Sequence, residues 1–173
     1  MNRIMIVGPC GSGKSTLAVR LRRMLGIASY HLDQLSFAAN WVERPEEEWR
    51  SQLERIVASE RWIIDGNDAG TMPIRLARAD TVLFLDFAPA RCVWRVLKRV
   101  ATHRGATRPD MAPDCPERLS LSFLFYVATW NGSPRKRVET QLSGSEGKIV
   151  TVKDPKSLEG WLSTLACPSS PKR

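Results

Sequence analysis

An apolar run, Ile4-Met5-Ile6-Val7, leads straight into Gly8-Pro9-Cys10-Gly11-Ser12-Gly13-Lys14-Ser15, which fits the spacing GxxxxGK[ST] at every fixed position. Glycines at those points let the main chain curl so that its N–H groups face inward around phosphate oxygens. A helix opening near Lys14 aims its positive dipole end at the same place. Lys14 is placed to reach the β- and γ-phosphates, and the Ser15 hydroxyl to ligate Mg²⁺. Gly8, Gly11, Ser12, Gly13, Lys14, Ser15 and Thr16 are therefore the expected binding residues for a nucleoside triphosphate, ATP or a close relative.

The rest of the chain alternates strand and helix. After the loop, Ser15 to Leu25 repeats apolar residues at helical spacing and Gly26 caps its end. Strands are expected over Ala28 to Leu32, Arg61 to Asp65, Thr81 to Leu85 and Lys148 to Val152. Helices are expected over Glu46 to Ser59, behind Pro45, and over Met72 to Ala77, Ala90 to Ala101, Arg118 to Trp130, Pro134 to Leu142 and Pro155 to Leu165. Gly105 to Pro116, with Pro109, Pro113 and Pro116, reads as loop, and the tail from Cys167 as frayed. Such alternation without repeats implies an α/β fold, a parallel sheet covered on both faces. Ligands of such sheets sit beyond the carboxyl ends of the strands. The Gly8 loop, Asp33, Asp65-Gly66-Asn67 and Asp86 each follow an expected strand, so they converge on one edge.

Several side chains there suit phosphoryl transfer. Asp65 ends an apolar strand, where an acid holds Mg²⁺ directly or through water. Asp86 competes for that role, but Phe87 and Pro89 after it read as an ordinary strand end, so Asp65 is preferred. Asp33 could accept the proton of an attacking hydroxyl or hold the acceptor. His31 reads as a packed residue rather than a catalyst. Arg75 and Arg78 follow the third strand, where an acceptor would bind, and Gly66 and Asn67 lie beside them. Arg91, Arg95 and Arg99 share one helix face, an efficient clamp for phosphate oxygens and transition-state charge. Arg135 and Arg137 follow a Gly-Ser-Pro turn and could swing in from a lid. Most of the six tryptophans read as core, with Trp41 and Trp130 as the two candidate ligand contacts; Phe123 to Tyr126 reads as packing under the lid.

Composition narrows the class further. The 173 residues carry a net charge of +8, and seven of those charges fall between Arg91 and Arg137, where ten basic residues face three acids. Such a block attracts anions, either substrate phosphates or a nucleic-acid backbone. No zinc-finger or RNP signature accompanies it, and aromatics are not interleaved with the basic residues. No apolar stretch approaches the roughly 20 residues of a membrane span. Met1-Asn2-Arg3 enters a strand directly, so no cleavable signal is expected. Cys10, Cys92, Cys115 and Cys167 are scattered without metal-ligand spacing and read as reduced thiols of a cytoplasmic protein.

Taken together, Gly8 to Thr16, Tyr30-His31-Leu32-Asp33, Trp62-Ile63-Ile64-Asp65-Gly66-Asn67 and Ala79 to Asp86 resemble the FlaR-like topology modulation proteins, P-loop proteins related to adenylate and shikimate kinases. Arg91, Arg95 to Arg99, Trp130-Asn131 and Pro134-Arg135 fit the same pattern, so the resemblance spans about residues 3–165. It implies one three-layer P-loop NTPase domain over 1–173 with a five-stranded parallel sheet, adenylate-kinase-like. An acceptor-binding region would lie near 34–60, an arginine-bearing lid near 100–135 and a flexible tail at 167–173. Asp33 resembles the acceptor-side acid of shikimate-kinase-like enzymes, and Asp65-Gly66 the Asp-Gly of adenylate kinases, whose next Pro-Arg is replaced by Asn67-Asp68. Lys153-Asp154-Pro155 resembles the adenine-contacting turn. The implied activity is transfer of the γ-phosphate of Mg-ATP to a small-molecule or nucleotide acceptor by Lys14, Asp33, Arg95, Arg99 and Arg135, with Gly66, Asn67, Arg75 and Arg137 toward the acceptor and Arg91, Asp154 and Pro155 toward the nucleotide. The alternative is a nucleic-acid-associated ATPase that uses the basic segment 91–137.

Overall fold

Continuous apolar runs form strands buried on both faces, and their alternate residues divide the core in two. The computed structural model describes residues 1–102, 105, 107, 111–117, 119–143 and 148–166. Arg104, Arg108, Asp110, Arg118 and the tail from Cys167 lie outside the described residues, as does much of the expected loop at 105–116. In chain order the elements are β1 (Arg3–Val7), α1 (Lys14–Leu25), β2 (Ser29–His31), α2 (Leu32–Ser36), β3 (Phe37–Ala38), a 3₁₀ turn (Ala39–Trp41), β4 (Val42–Glu43), α3 (Glu46–Ala58), β5 (Trp62–Asp65), α4 (Met72–Arg78) and β6 (Thr81–Leu85). Then follow α5 (Pro89–Thr102), α6 (Leu121–Ala128), α7 (Ser133–Leu142), β7 (Lys148–Val152) and α8 (Pro155–Ala166).

Five strands form one sheet in the order β2-β5-β1-β6-β7, every pair parallel. Met5, Val7, Trp62, Ile64, Val82 and Phe84 pack toward Trp49, Leu53 and Val57 of α3, Met72 of α4 and Val138 and Leu142 of α7. The intervening Ile4, Ile6, Ile63, Leu83, Leu85 and Val152 pack toward Leu17 and Leu21 of α1, Cys92 of α5, Val127 of α6 and Leu162 of α8. This is the expected three-layer α/β fold. Each such fully buried aliphatic side chain contributes about 1.5–3 kcal/mol relative to exposure. Gly26 ends α1 in the left-handed conformation, φ 63°, and Ser120 starts α6 by accepting from the Phe123 N–H at 3.2 Å, which trims the helix expected from Arg118.

Two features depart from the sequence reading. Helix α2 begins immediately after β2, so Asp33 sits in its first turn rather than at a free strand tip. A two-stranded hairpin, Phe37–Ala38 paired with Val42–Glu43, then turns through Asn40 (φ 60°) and Trp41 (φ 62°). Strands of two residues are too short to show a period, and the turn uses neither glycine nor proline. The tryptophans also divide: Trp130 is fully buried and closed to ligands, whereas Trp94, expected in the core, is 66% exposed.

Candidate active site

The phosphate loop folds back on the sheet because its glycines have no side chain. Gly8, Gly11 and Gly13 take φ of 143°, 83° and 96°. A Cβ on Gly8 would meet Leu85 O at 2.5 Å, and one on Gly11 would meet Cys92 O at 2.5 Å. Helix α1 starts at Lys14 with Gly13 as N-cap and no side chain accepting its first N–H groups, which leaves those donors and their dipole for an anion. The Lys14 ammonium donates to the Gly8 and Pro9 carbonyls at 2.8 and 3.0 Å. With three donors on an ammonium, one remains for a phosphate oxygen. Ser12, expected to bind the nucleotide, is buried within the loop: its N–H donates to Pro9 O at 3.1 Å, its carbonyl accepts from Arg95, and it does not line the cavity.

Parallel pairing of β2 with β5 sets His31 directly opposite Asp65. Both are buried, and His31 Nδ1 and Asp65 Oδ1 are 2.6 Å apart. The other carboxylate oxygen, Oδ2, accepts from the Ser15 hydroxyl at 2.8 Å. The adjoining hydroxyl and carboxylate fit Mg²⁺, a hard cation that takes one or two protein oxygens and fills its shell with phosphate and water. The sequence pointed to both residues as candidate metal ligands; it did not reveal that His31 pairs with Asp65.

These residues open into one cavity of about 1000 Å³. Gly11, Gly13, Lys14, Ser15, Thr16 and Arg95 are among its lining residues. Asp33, Phe37, Trp41, Trp49, Asp65, Gly66, Asn67 and Asp68 line it too, and the sheet order β2-β5-β1 sets Asp65 between the segment after β2 and the phosphate loop. Segment Met111–Glu117 roofs it by docking on the hairpin. Asn40 N–H donates to Asp114 O at 2.9 Å, the Trp41 indole to Pro116 O at 3.1 Å, and the Cys115 thiol to Ala38 O at 3.2 Å. Met111, Ala112 and Cys115 form a small apolar cluster with Phe37 and Trp41.

The arginines divide rather than converge. Arg95 lies across Gly13 and donates to Ser12 O at 3.0 Å, so it stands at the phosphate loop as expected. Arg99 lines the cavity and pairs with the buried Glu117 of the roof, Nε to Oε1 at 3.0 Å. Arg91 is exposed and faces α8, where the Ser157 N–H and, more weakly, Arg91 hold Asp154 below its usual carboxylate range. Asp154 immediately precedes α8, Pro155 is its first residue, and neither lines the cavity. Arg135 departs from its expected inward role. It is gripped by Asp86 through two bonds of 2.9 Å and by Glu139 at 3.0 Å, and it does not line the cavity. The Asp86 bonds push its guanidinium pKa up. Arg137 is exposed on α7, beside a separate shallow hollow. Arg75 also departs: it is fully buried and gives its donors to the carbonyls of Gly66, Asp68 and Thr71. Asn67 reaches the cavity, but both ends of its amide are bonded to Gly8.

A family model described as AAA domain matches residues 4–110, more than half of the chain. The chain belongs to the AAA domain family. Solved structures with the same fold as this AAA domain include shikimate kinase from Bacteroides thetaiotaomicron, 19% identical over 95% of this chain and 96% of that one, TM-score 0.57. Deoxyadenosine kinase from M. mycoides with bound dATP is 16% identical over 96% and 100%, TM-score 0.55. A gluconokinase from Sinorhizobium meliloti 1021 is 17% identical over 95% and 91%, TM-score 0.54. At these identities the likeness establishes that the AAA domain has a P-loop kinase-like fold. No curated protein sequence matches it significantly. Among the described residues, no helix is long and apolar enough to cross a membrane.

Proposed function

We propose that this protein is a kinase that transfers the γ-phosphoryl group of ATP to an oxygen of a small hydroxyl- or phosphate-bearing acceptor. The observation that carries this reading is the Ser15–Asp65 hydrogen bond of 2.8 Å, on a cavity lined both by the phosphate loop and by Asp33 and Trp41. The fold likeness to kinases of shikimate, gluconate and deoxyadenosine supports the same reading.

The chemistry asked of the protein is positioning and charge stabilisation. The loop N–H groups and the free donor of Lys14 bind phosphate oxygens, and Arg95 spans the mouth of the loop. Mg²⁺ held at Ser15 and Asp65 supplies charge neutralisation at the phosphates when bound. Asp33 lines the same cavity, where its carboxylate takes the proton of the attacking hydroxyl as the new O–P bond forms and ADP leaves. Arg99 and Arg135 are tied into ion pairs, which favours a small-molecule site over a nucleic-acid surface built from the same basic segment.

The test follows ADP formation from Mg-ATP across a panel of nucleosides, nucleotides and polyhydroxy metabolites. Acceptor-dependent ADP and a phosphorylated product are expected for at least one. ADP release that no acceptor changes would leave an ATPase and sink the kinase assignment. Lys14→Ala should lower turnover on the order of 10²–10³-fold; unchanged turnover removes the phosphate-loop assignment itself.

A further inference from the structure

The β1–β5 ladder runs on to the Gly66 N–H, which donates to Ile6 O at 3.2 Å. Beyond that rung the two chains part, because Gly8 (φ 143°) and Gly66 (φ 137°) both turn into left-handed backbone. The next rung is made by a side chain. Asn67 Oδ1 accepts from the Gly8 N–H at 3.0 Å, and Asn67 Nδ2 donates to Gly8 O at 2.6 Å. A carboxamide carries a donor and an acceptor side by side, as a peptide does, so it can replace a strand neighbour at this point. The second lone pair of Gly8 O takes the Lys14 ammonium at 2.8 Å. Asn67 thus fixes the carbonyl from which the phosphate-binding ammonium is hung.

Asn67 is in turn braced from behind. Arg75, at 0% exposure, donates to Gly66 O at 3.0 Å and Asp68 O at 2.8 Å, the carbonyls on either side of Asn67, and to Thr71 O at 3.3 Å. Asp68 closes the same turn by accepting the N–H and hydroxyl of Thr71, each at 2.7 Å. Burial lowers the Arg75 guanidinium to about 10, against attraction from Asp68 and Asp65. It is still a cation at neutral pH, and its hydrogen-bonded partners are peptide carbonyls. An ion kept so deep and spent on main chain serves to hold a loop shape.

We propose that Asn67 is a positioning residue of the phosphate loop rather than an acceptor contact, and that Arg75 acts through it by fixing the two flanking peptides. The proposal rests on the phosphate-loop reading above. It also means that the β5 end and the phosphate loop move as one piece.

The rival is direct contact between Asn67 and the acceptor, since the residue also lines the cavity. Three variants separate them: Asn67→Ala, which loses both bonds, Asn67→Asp, which sets an oxygen against Gly8 O, and Arg75→Met. Each is read by titration with a fluorescent ATP analogue and Mg²⁺, and by hydrogen exchange at the Gly8 amide, which needs no nucleotide. Loss of two hydrogen bonds predicts roughly tenfold weaker nucleotide binding for Asn67→Ala, at least as large a loss for Asn67→Asp, and faster Gly8 exchange in both. Arg75→Met, where it folds, should move nucleotide affinity in the same direction. Wild-type nucleotide affinity and unchanged Gly8 exchange in Asn67→Ala overturn the proposal, as does a defect confined to acceptor KM. If the wild-type chain binds no nucleotide, the kinase reading fails, while the Gly8 exchange rate still decides the clamp.

Discussion

Gly11 and Gly26 share a left-handed backbone, φ 83° and 63°, but differ in what surrounds them. Nothing lies within 4 Å of a Cβ built on Gly26, whereas one on Gly11 meets Cys92 O at 2.5 Å and Val96 Cγ2 at 3.0 Å. Gly26→Ala therefore costs only the left-handed conformation, about 1–2 kcal/mol. Gly11→Ala adds an overpacking term of about 1–3 kcal/mol, because the atom it strikes belongs to the main chain of α5 and cannot rotate away. At roughly 2–4 °C per kcal/mol for a chain of this size, Gly26→Ala should melt about 5 °C below wild type and Gly11→Ala about 10 °C below. Relief of the clash also pushes α5 away from the loop, and Arg95, one turn along, loses its 3.0 Å bond to Ser12 O. The two variants should thus differ in function as well as in melting: nucleotide binding is kept in Gly26→Ala and lost in Gly11→Ala. Scanning calorimetry and nucleotide titration on the pair provide the assay. Equal melting temperatures, or a Gly11→Ala variant that binds like wild type, would refute the packing argument.

Two other consequences are open to measurement. Arg135→Gln breaks the two-point grip on Asp86, a partly buried pair worth about 1 kcal/mol, so the melting temperature should fall by a few degrees while nucleotide affinity stays within twofold; a large loss of affinity would restore Arg135 to the site. Asp80 sits where burial would raise a carboxyl, but the N–H groups of Asn2 and Arg3 and the Thr81 hydroxyl outweigh it and hold the pKa below its ordinary 3.8. A depressed carboxylate stabilises the fold above that value and loses the contribution as the pH falls through the lower, folded-state pKa. The stability gap between Asp80→Asn and wild type should therefore be widest near neutral pH and close below about pH 4; a gap that does not change with pH contradicts this.

Much of the molecule is legible in the sequence because its signals are local. Val82–Leu85 is a continuous apolar run and Ile149–Val152 is rich in β-branched residues, and each lies in a strand with the expected bounds, Thr81–Leu85 and Lys148–Val152. The phosphate loop is a contiguous motif whose glycines each answer a geometric need. What the sequence hid depends on partners far along the chain. Nothing near Arg135 announces that Asp86, 49 positions earlier, will claim its guanidinium, and nothing near Arg75 shows that it will be enclosed by its own loop. Four-residue spacing placed Arg91, Arg95 and Arg99 on one helix face, but along a helix each step advances about 6 Å, enough to send them to α8, the phosphate loop and the roof. The hairpin after α2 was hidden for another reason: its turn places Asn40 and Trp41 in left-handed backbone, a conformation that tertiary contacts impose on residues that rarely adopt it.

The roof has a consequence for the order in which the site can be assembled. Its bonds to the hairpin join residues 74 to 77 positions apart, whereas β1, β5 and β6, which carry the phosphate loop and Asp65, are all complete by Leu85. Loop length sets no order here, since Ile4 and Thr81 of the β1–β6 pair are also 77 positions apart; the order comes from the direction of synthesis. A chain emerging from the ribosome can therefore build its phosphate-binding edge first and stay open on the acceptor side until Met111–Glu117 arrives. Translation itself sets the roof apart in time from the floor that it closes.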